Sequence, residues 1–168
     1  MKILISACLL GQPVRYDGRS NDNKIRDYSE TVARWQSNGW LIPVCPEVAG
    51  GLPTPRPAAE IIGSDGDGVI AGIARIRSAS GGDFTAQFLA GAEQALALAK
   101  KHGAVAALLA ARSPSCGSDG IYDGTFSSTQ RRGMGVTAAL LEQQGIRCFS
   151  PDNFSALEQY LNTSGWML

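Results

Sequence analysis

Apolar, β-branched runs alternate along the chain with longer segments of helical composition. Lys2 to Ala7 and Leu41 to Val44 read as short buried strands, because continuous apolar runs of this length suit a parallel sheet covered on both faces. Asn23 to Asn38 has helical composition with Gly39 as its stop, and Phe84 to His102, rich in Ala, Leu and Gln, is a strong helix closed by Gly103. Ala104 to Ala110 reads as a third buried strand. It runs into Arg112-Ser113-Pro114-Ser115-Cys116-Gly117, where proline and glycine forbid continuing strand or helix. Gly135 to Gln144 predicts another helix, Ile146 to Phe149 a short strand and Asn153 to Asn162 a closing helix.

Strands alternating with helices imply right-handed crossovers and a sheet with helices on both faces. The expected fold class is α/β: a small doubly wound, mostly parallel sheet, Rossmann-like and three-layered, in a single domain over 1–168. Ligands of such sheets bind outside the carboxyl ends of the strands. Cys8, Cys45 and Cys116 each fall at or just past the end of a predicted strand, so they are expected to share one edge. The glycine-rich stretch Gly63 to Gly68 reads as a hairpin or surface loop. Asp65 and Asp67 within it lack the further oxygen ligands and the closing Glu of a calcium loop.

Composition narrows the function classes. Fifteen Lys plus Arg balance fifteen Asp plus Glu, so nothing attracts a polyanion, and a small neutral or weakly charged ligand is expected rather than a nucleic acid. The apolar start is too short for an export signal and no run reaches the ~20 residues needed to cross a bilayer, so the expected setting is soluble and cytoplasmic. In a reducing compartment the four cysteines are metal ligands, nucleophiles or core residues before they are disulfides.

No CxxC pair is present, so the usual zinc-ribbon and ferredoxin spacings are missing. Context carries the metal signal instead. Cys45 precedes Pro46-Glu47 and a Gly50-Gly51 turn, and Cys116 lies in Ser-Pro-Ser-Cys-Gly, so both sit on irregular backbone, whereas Cys148 lies inside an apolar run and reads as an inert core residue. Three thiolates suit either a four-iron cluster with one iron unligated by protein or a zinc ion with one open position. The iron would select a sulfur-bearing ligand; the zinc would hold an activated water.

Glu47 is the one carboxylate placed next to a presumed ligand and is a candidate general base. Ser113 and Ser115 either handle substrate or satisfy turn amides. Two echoed tetrapeptides, Arg15-Tyr16-Asp17-Gly18 and Ile121-Tyr122-Asp123-Gly124, follow cysteines at short range; they are turns first, and Tyr16, Asp17, Tyr122 and Asp123 are candidates for the walls of a pocket. His102, at a helix end, complements the helix carboxyl terminus and does not serve a serine hydrolase.

Taken in order, Cys8-Leu9-Leu10-Gly11, Arg15-Tyr16-Asp17-Gly18, Cys45-Pro46-Glu47-Val48, Gly50-Gly51-Leu52-Pro53, Pro55-Arg56, Gly91-Ala92, Ser113-Pro114-Ser115-Cys116-Gly117 and Ile121-Tyr122-Asp123-Gly124-Thr125-Phe126 resemble the thiouracil desulfidase family. The resemblance spans nearly the whole chain, with Ala110 as a departure where a lysine is expected. It implies a [4Fe-4S] cluster on Cys8, Cys45 and Cys116 that leaves one iron for the thione sulfur of a thiolated pyrimidine. It also implies Glu47 and Ser113 as catalytic residues and non-redox conversion of 2-thiouracil and water to uracil and sulfide; Ser115, Tyr16 and Asp17 are expected at the substrate from their own placement close to the cysteines. A desulfidase for another thioamide uses the same ligands. A non-catalytic iron–sulfur or zinc sensor would make Glu47 and Ser113 incidental, and a thiol-based reductase would work without iron. Oligomeric state is not legible.

Overall fold

The computed structural model describes residues 1–166. Its main sheet is built from β1 (Lys2–Ser6), β2 (Leu41–Val44), β5 (Ala104–Leu108) and β8 (Arg147–Phe149), all parallel, in the order β2-β1-β5-β8. Central position explains composition: Ile3, Leu4 and Ile5 of β1 and Ala106, Ala107 and Leu108 of β5 are fully buried because both faces are covered. Pro43 is tolerated in β2 because that strand is an edge, where a missing N–H leaves no ladder bond unmade.

Helix α1 (Ser29–Ser37) links β1 to β2, α4 (Thr85–His102) leads into β5, α5 (Val136–Gln143) leads into β8, and α6 (Phe154–Thr163) closes the chain. The first crossover moves outward from β1 and the later ones move the other way, so right-handed connections place α1 opposite α4 and α5. On the α1 side, Phe154 of α6 stacks between Tyr28 and Trp35, with ring centroids 4.1 and 5.4 Å away. The α/β, doubly wound, three-layer expectation therefore holds. Helix α4 ends as predicted: Gly103 takes the left-handed conformation (φ 64°), and Lys100, Lys101 and His102 occupy the last turn.

Three differences from the expected elements have local causes. The segment after Asn21 is not one helix; it starts as 3-10 turns over Asp22–Tyr28, broken at Ile25, before α1 forms. The Gly63 to Gly68 stretch does connect two antiparallel strands, β3 (Ala59–Ile62) and β4 (Arg75–Ser78), but it holds a short helix, α3 (Gly66–Ile70). The Asp65 side chain caps that helix by accepting from the Gly68 N–H at 3.2 Å. Immediately after Cys45 the chain forms α2 (Pro46–Ala49), with proline at its first position. A two-stranded pair, β6 (Ile121–Tyr122) and β7 (Gln130–Arg131), follows the Cys116 turn.

Candidate functional site

In the order β2-β1-β5-β8 the topology reverses between β1 and β5, and the crevice at their carboxyl ends is where a doubly wound sheet places its ligand. All three candidate cysteines arise there. Cys8 lies in the 3-10 turn Ala7–Leu10 that follows β1, Cys45 lies between β2 and α2, and Cys116 lies in the turn beyond β5. They line one cavity of about 550 Å³, a size ordinary for small-molecule sites, together with Glu47, Arg56, Tyr16, Tyr122 and Ser113.

Burial dominates the electrostatics of the thiols. The Cys8 thiol is pushed up to about 11, first by burial and then by its neighbour Cys45, with Arg15 and Asn21 pulling the other way. Cys45 is raised by burial, with Glu47 adding to the rise and Arg56 opposing it. Cys116 is raised most strongly, again by burial first, with Glu47, Cys45 and Cys8 adding to it. The buried Ser6 opposes this: its hydroxyl accepts from the Ala110 N–H at 2.9 Å and donates to Cys116 Sγ at 3.6 Å. Burial sets each shift, and a neighbouring sulfur adds to it at Cys8 and at Cys116. A buried thiol set that resists ionisation is a set that a cationic centre would stabilise as thiolates. Among the described residues no three His, Cys, Asp or Glu side chains are grouped to hold a single metal ion. In donor chemistry, three soft thiolates around one cavity fit an iron–sulfur cluster with one iron left open, and they also fit a zinc ion with one open position.

Glu47 lies on α2 with its side chain 17% exposed, and its Oε1 accepts from Arg56 Nε at 3.1 Å. Ser113 holds the Cys116 turn: its hydroxyl oxygen accepts from the N–H groups of Ser115 and Cys116 at 3.0 and 3.1 Å, which leaves its own proton to be donated. Tyr16 and Tyr122 line the cavity as expected. Three other expectations are corrected. Ser115 is fully buried, pairs with Thr137 at 2.8 Å and is not among the residues that line the cavity. Asp17 does not line the cavity; it accepts from the Arg19 N–H and pairs with Arg15 at 3.4 Å, holding its own turn. Asp123 similarly accepts from the Thr125 N–H and hydroxyl. In both tetrapeptides the tyrosine faces the site and the aspartate folds the loop, which is the ordinary role of Asx turns.

Sequence reasoning assigned no role to Ser6 or Arg56. The available signal for Arg56 was a lone charge inside Leu52-Pro53-Thr54-Pro55-Arg56-Pro57, a segment otherwise poor in polar groups. Cys148 does not line the cavity; its thiol donates to the carbonyls of Ile146 and Ala138 at 3.6 and 3.7 Å, as an inert core cysteine does.

A family model described as 2-thiouracil desulfurase matches residues 3–153. A protein of Bacillus subtilis (strain 168) described as the uncharacterized protein YbbK is 44% identical over 153 residues, which is 91% of this chain and 97% of that protein. A solved structure described as the [4Fe-4S]-dependent thiouracil desulfidase TudS is similar with a TM-score of 0.84 at 45% identity, over 96% of this chain and 98% of that one.

Proposed function

The chain belongs to the 2-thiouracil desulfurase family, and from that premise we propose that it converts 2-thiouracil, or a related thiolated pyrimidine, and water to the oxo base and hydrogen sulfide. The observation that carries the reading is the meeting of Cys8, Cys45 and Cys116, from the ends of three adjacent parallel strands, in one cavity beside Glu47. These thiols would hold a [4Fe-4S] cluster, the cofactor named for the similar solved structure. When bound through only three protein ligands, such a cluster supplies one open iron as a soft Lewis acid for a thione sulfur.

The chain's own residues would do the rest. The floor and walls formed by Ala110, Tyr16 and Tyr122 would enclose a flat ring and limit access of bulk water. Glu47, with one oxygen held by Arg56, would take the proton from the water that attacks the ring carbon, as general bases do. Ser113, whose oxygen is occupied as an acceptor, would donate its hydroxyl proton to the polar edge of the substrate. Water brings the oxygen, sulfur leaves as sulfide, and no net electron is transferred. One domain over 1–168 would carry the whole site.

Glu47→Gln tests the assignment because it keeps size and hydrogen bonding while removing the base. Iron and acid-labile sulfide per chain are expected to match the wild type while sulfide release from 2-thiouracil falls by at least ~100-fold, the scale of a lost general base. Undiminished turnover in this variant would count against Glu47 as the base. Wild-type iron binding with no sulfide release from any thiolated pyrimidine would favour a sensor.

A further inference from the structure

We propose that Arg56 is a positioning residue of this site: its buried guanidinium fixes the Glu47 carboxylate in the cavity and ties it to the Cys45 turn. The catalytic meaning of that carboxylate rests on the desulfidase reading; the arrangement that holds it is visible in the structure itself. Among the described residues Arg56 is the one charged residue in the buried class, and its side chain is only 3% exposed. Burying a charge is strongly unfavourable unless it is paired and fully hydrogen-bonded.

Arg56 meets that condition by spanning three segments. Nε donates to Glu47 Oε1 at 3.1 Å, Nη1 to the Pro53 carbonyl and the Thr54 hydroxyl at 3.2 Å each, and Nη2 to the Val14 carbonyl at 3.0 Å. Nη2 also lies 4.0 Å from Cys45 Sγ, and the Arg56 backbone N–H donates to the Tyr16 carbonyl at 2.8 Å. A guanidinium held by three carbonyl or hydroxyl oxygens cannot swing, so the carboxylate bonded to it cannot swing either. Oε2 of Glu47 has no hydrogen-bond partner among the described residues and is left to the cavity that Glu47 lines. A base must be in reach of its proton before its basicity matters, and misplacement of about 1 Å can cost ~100-fold. Lysine has the charge but not the planar fork, so it cannot hold Glu47 and the Val14 and Pro53 carbonyls together.

The test compares Arg56→Met and Arg56→Lys in the full chain after anaerobic reconstitution, with kcat and KM for 2-thiouracil and iron per chain measured on each. Iron and KM are expected to stay within about twofold while kcat falls at least about tenfold in R56M and is only partly restored in R56K. In a Glu47→Asp background, whose shorter carboxylate is already withdrawn from the guanidinium, R56M is expected to cost less than about threefold in kcat, because residues acting through one contact are not additive. Thermal unfolding of the four metal-free proteins closes the same cycle, and the double variant should lose less than the sum of the single losses. Equal kcat losses in the two backgrounds, full activity in R56K, or iron loss as large as that of Cys45→Ser would each overturn the proposal. Should R56M fail to fold, R56K alone carries the comparison. If the wild type releases no sulfide from 2-thiouracil, the functional reading fails, while the unfolding cycle still decides the pair: additive losses would refute it.

Discussion

At Cys8, Cys45 and Cys116 burial raises the cost of ionising sulfur, and a different neighbour offsets it at each: Arg15 and Asn21 beside Cys8, Arg56 beside Cys45, and the Ser6 hydroxyl at Cys116. Thiols so placed are stable as neutral core residues or as metal-bound thiolates, and they are poor free nucleophiles. Serine substitution at any one of the three is therefore expected to lower iron per chain by at least about half after reconstitution, whereas Cys148→Ser should retain the wild-type content, because its sulfur bonds to Ala138 and Ile146 carbonyls away from the cavity. Iron retained in full by Cys8→Ser or Cys116→Ser would remove that residue from the ligand set. That the three cysteines share one cavity was legible in the sequence because each stands at or just past the end of a predicted strand, and Glu47 joins them because it lies two residues after Cys45. Ser115 and Asp17 misled because a hydroxyl or carboxylate beside a site looks the same in sequence whether it faces the ligand or its own turn. Arg56 stayed hidden because its partners at Val14, Cys45 and Glu47 become neighbours only in the folded chain.

Glycine contacts set how closely α2 can approach α4. A Cβ built on Gly91 would lie 1.9 Å from the Pro46 carbonyl oxygen, and one on Gly50 would lie 2.0 Å from that of Gln87, so the two helices meet backbone to backbone. This is the physical reason for glycine at 91 and 50, whereas Gly51 has open space and is required by its positive φ of 99°; the contact seats the turn that carries Cys45 and Glu47. Gly91→Ala is expected to destabilise the fold by about 1–3 kcal/mol, read by denaturant unfolding, and to lower iron content as α2 is displaced. Just before α4 begins, Asp83 accepts from Arg75 at 2.9 Å and from the Thr85 N–H at 3.0 Å, and these bonds hold its carboxyl below the usual carboxylate range. A depressed carboxyl stabilises the fold above its unfolded value of about 4, and that contribution fades as pH falls below it. Asp83→Asn should therefore flatten the acid side of the stability-against-pH curve while keeping an acceptor for the Thr85 N–H; an unchanged acid limb would contradict the assignment. The long strands and helices were readable from apolar periodicity. Helices α2 and α3 were not, since four or five residues rich in Pro and Gly carry no period, and only a proline start or an Asp65 cap marks them.

Across the whole molecule, the reversal of topology between β1 and β5 turns separate sequence segments into one site. The sheet delivers Cys8 and Cys116 from adjacent strands, β2 adds Cys45 from the other side of β1, and the helical layers keep those strands in register. On one face that layer depends on Phe154, fully buried and stacked on Tyr28 and Trp35, so Phe154→Ala should cost about 3–5 kcal/mol of global stability without altering kcat in the fraction that remains folded. The strand-end convergence of the cysteines was inferable from the β-α alternation alone, but their depth in a shared cavity was not, because burial depends on the strand order, which composition does not reveal. The most direct measurement is iron and acid-labile sulfide per chain after anaerobic reconstitution, with sulfide release from 2-thiouracil followed on the same sample. The account predicts about four irons per chain and release that vanishes when the iron is stripped. Stoichiometric zinc in their place, or sulfide release that continues in iron-free protein, would contradict it.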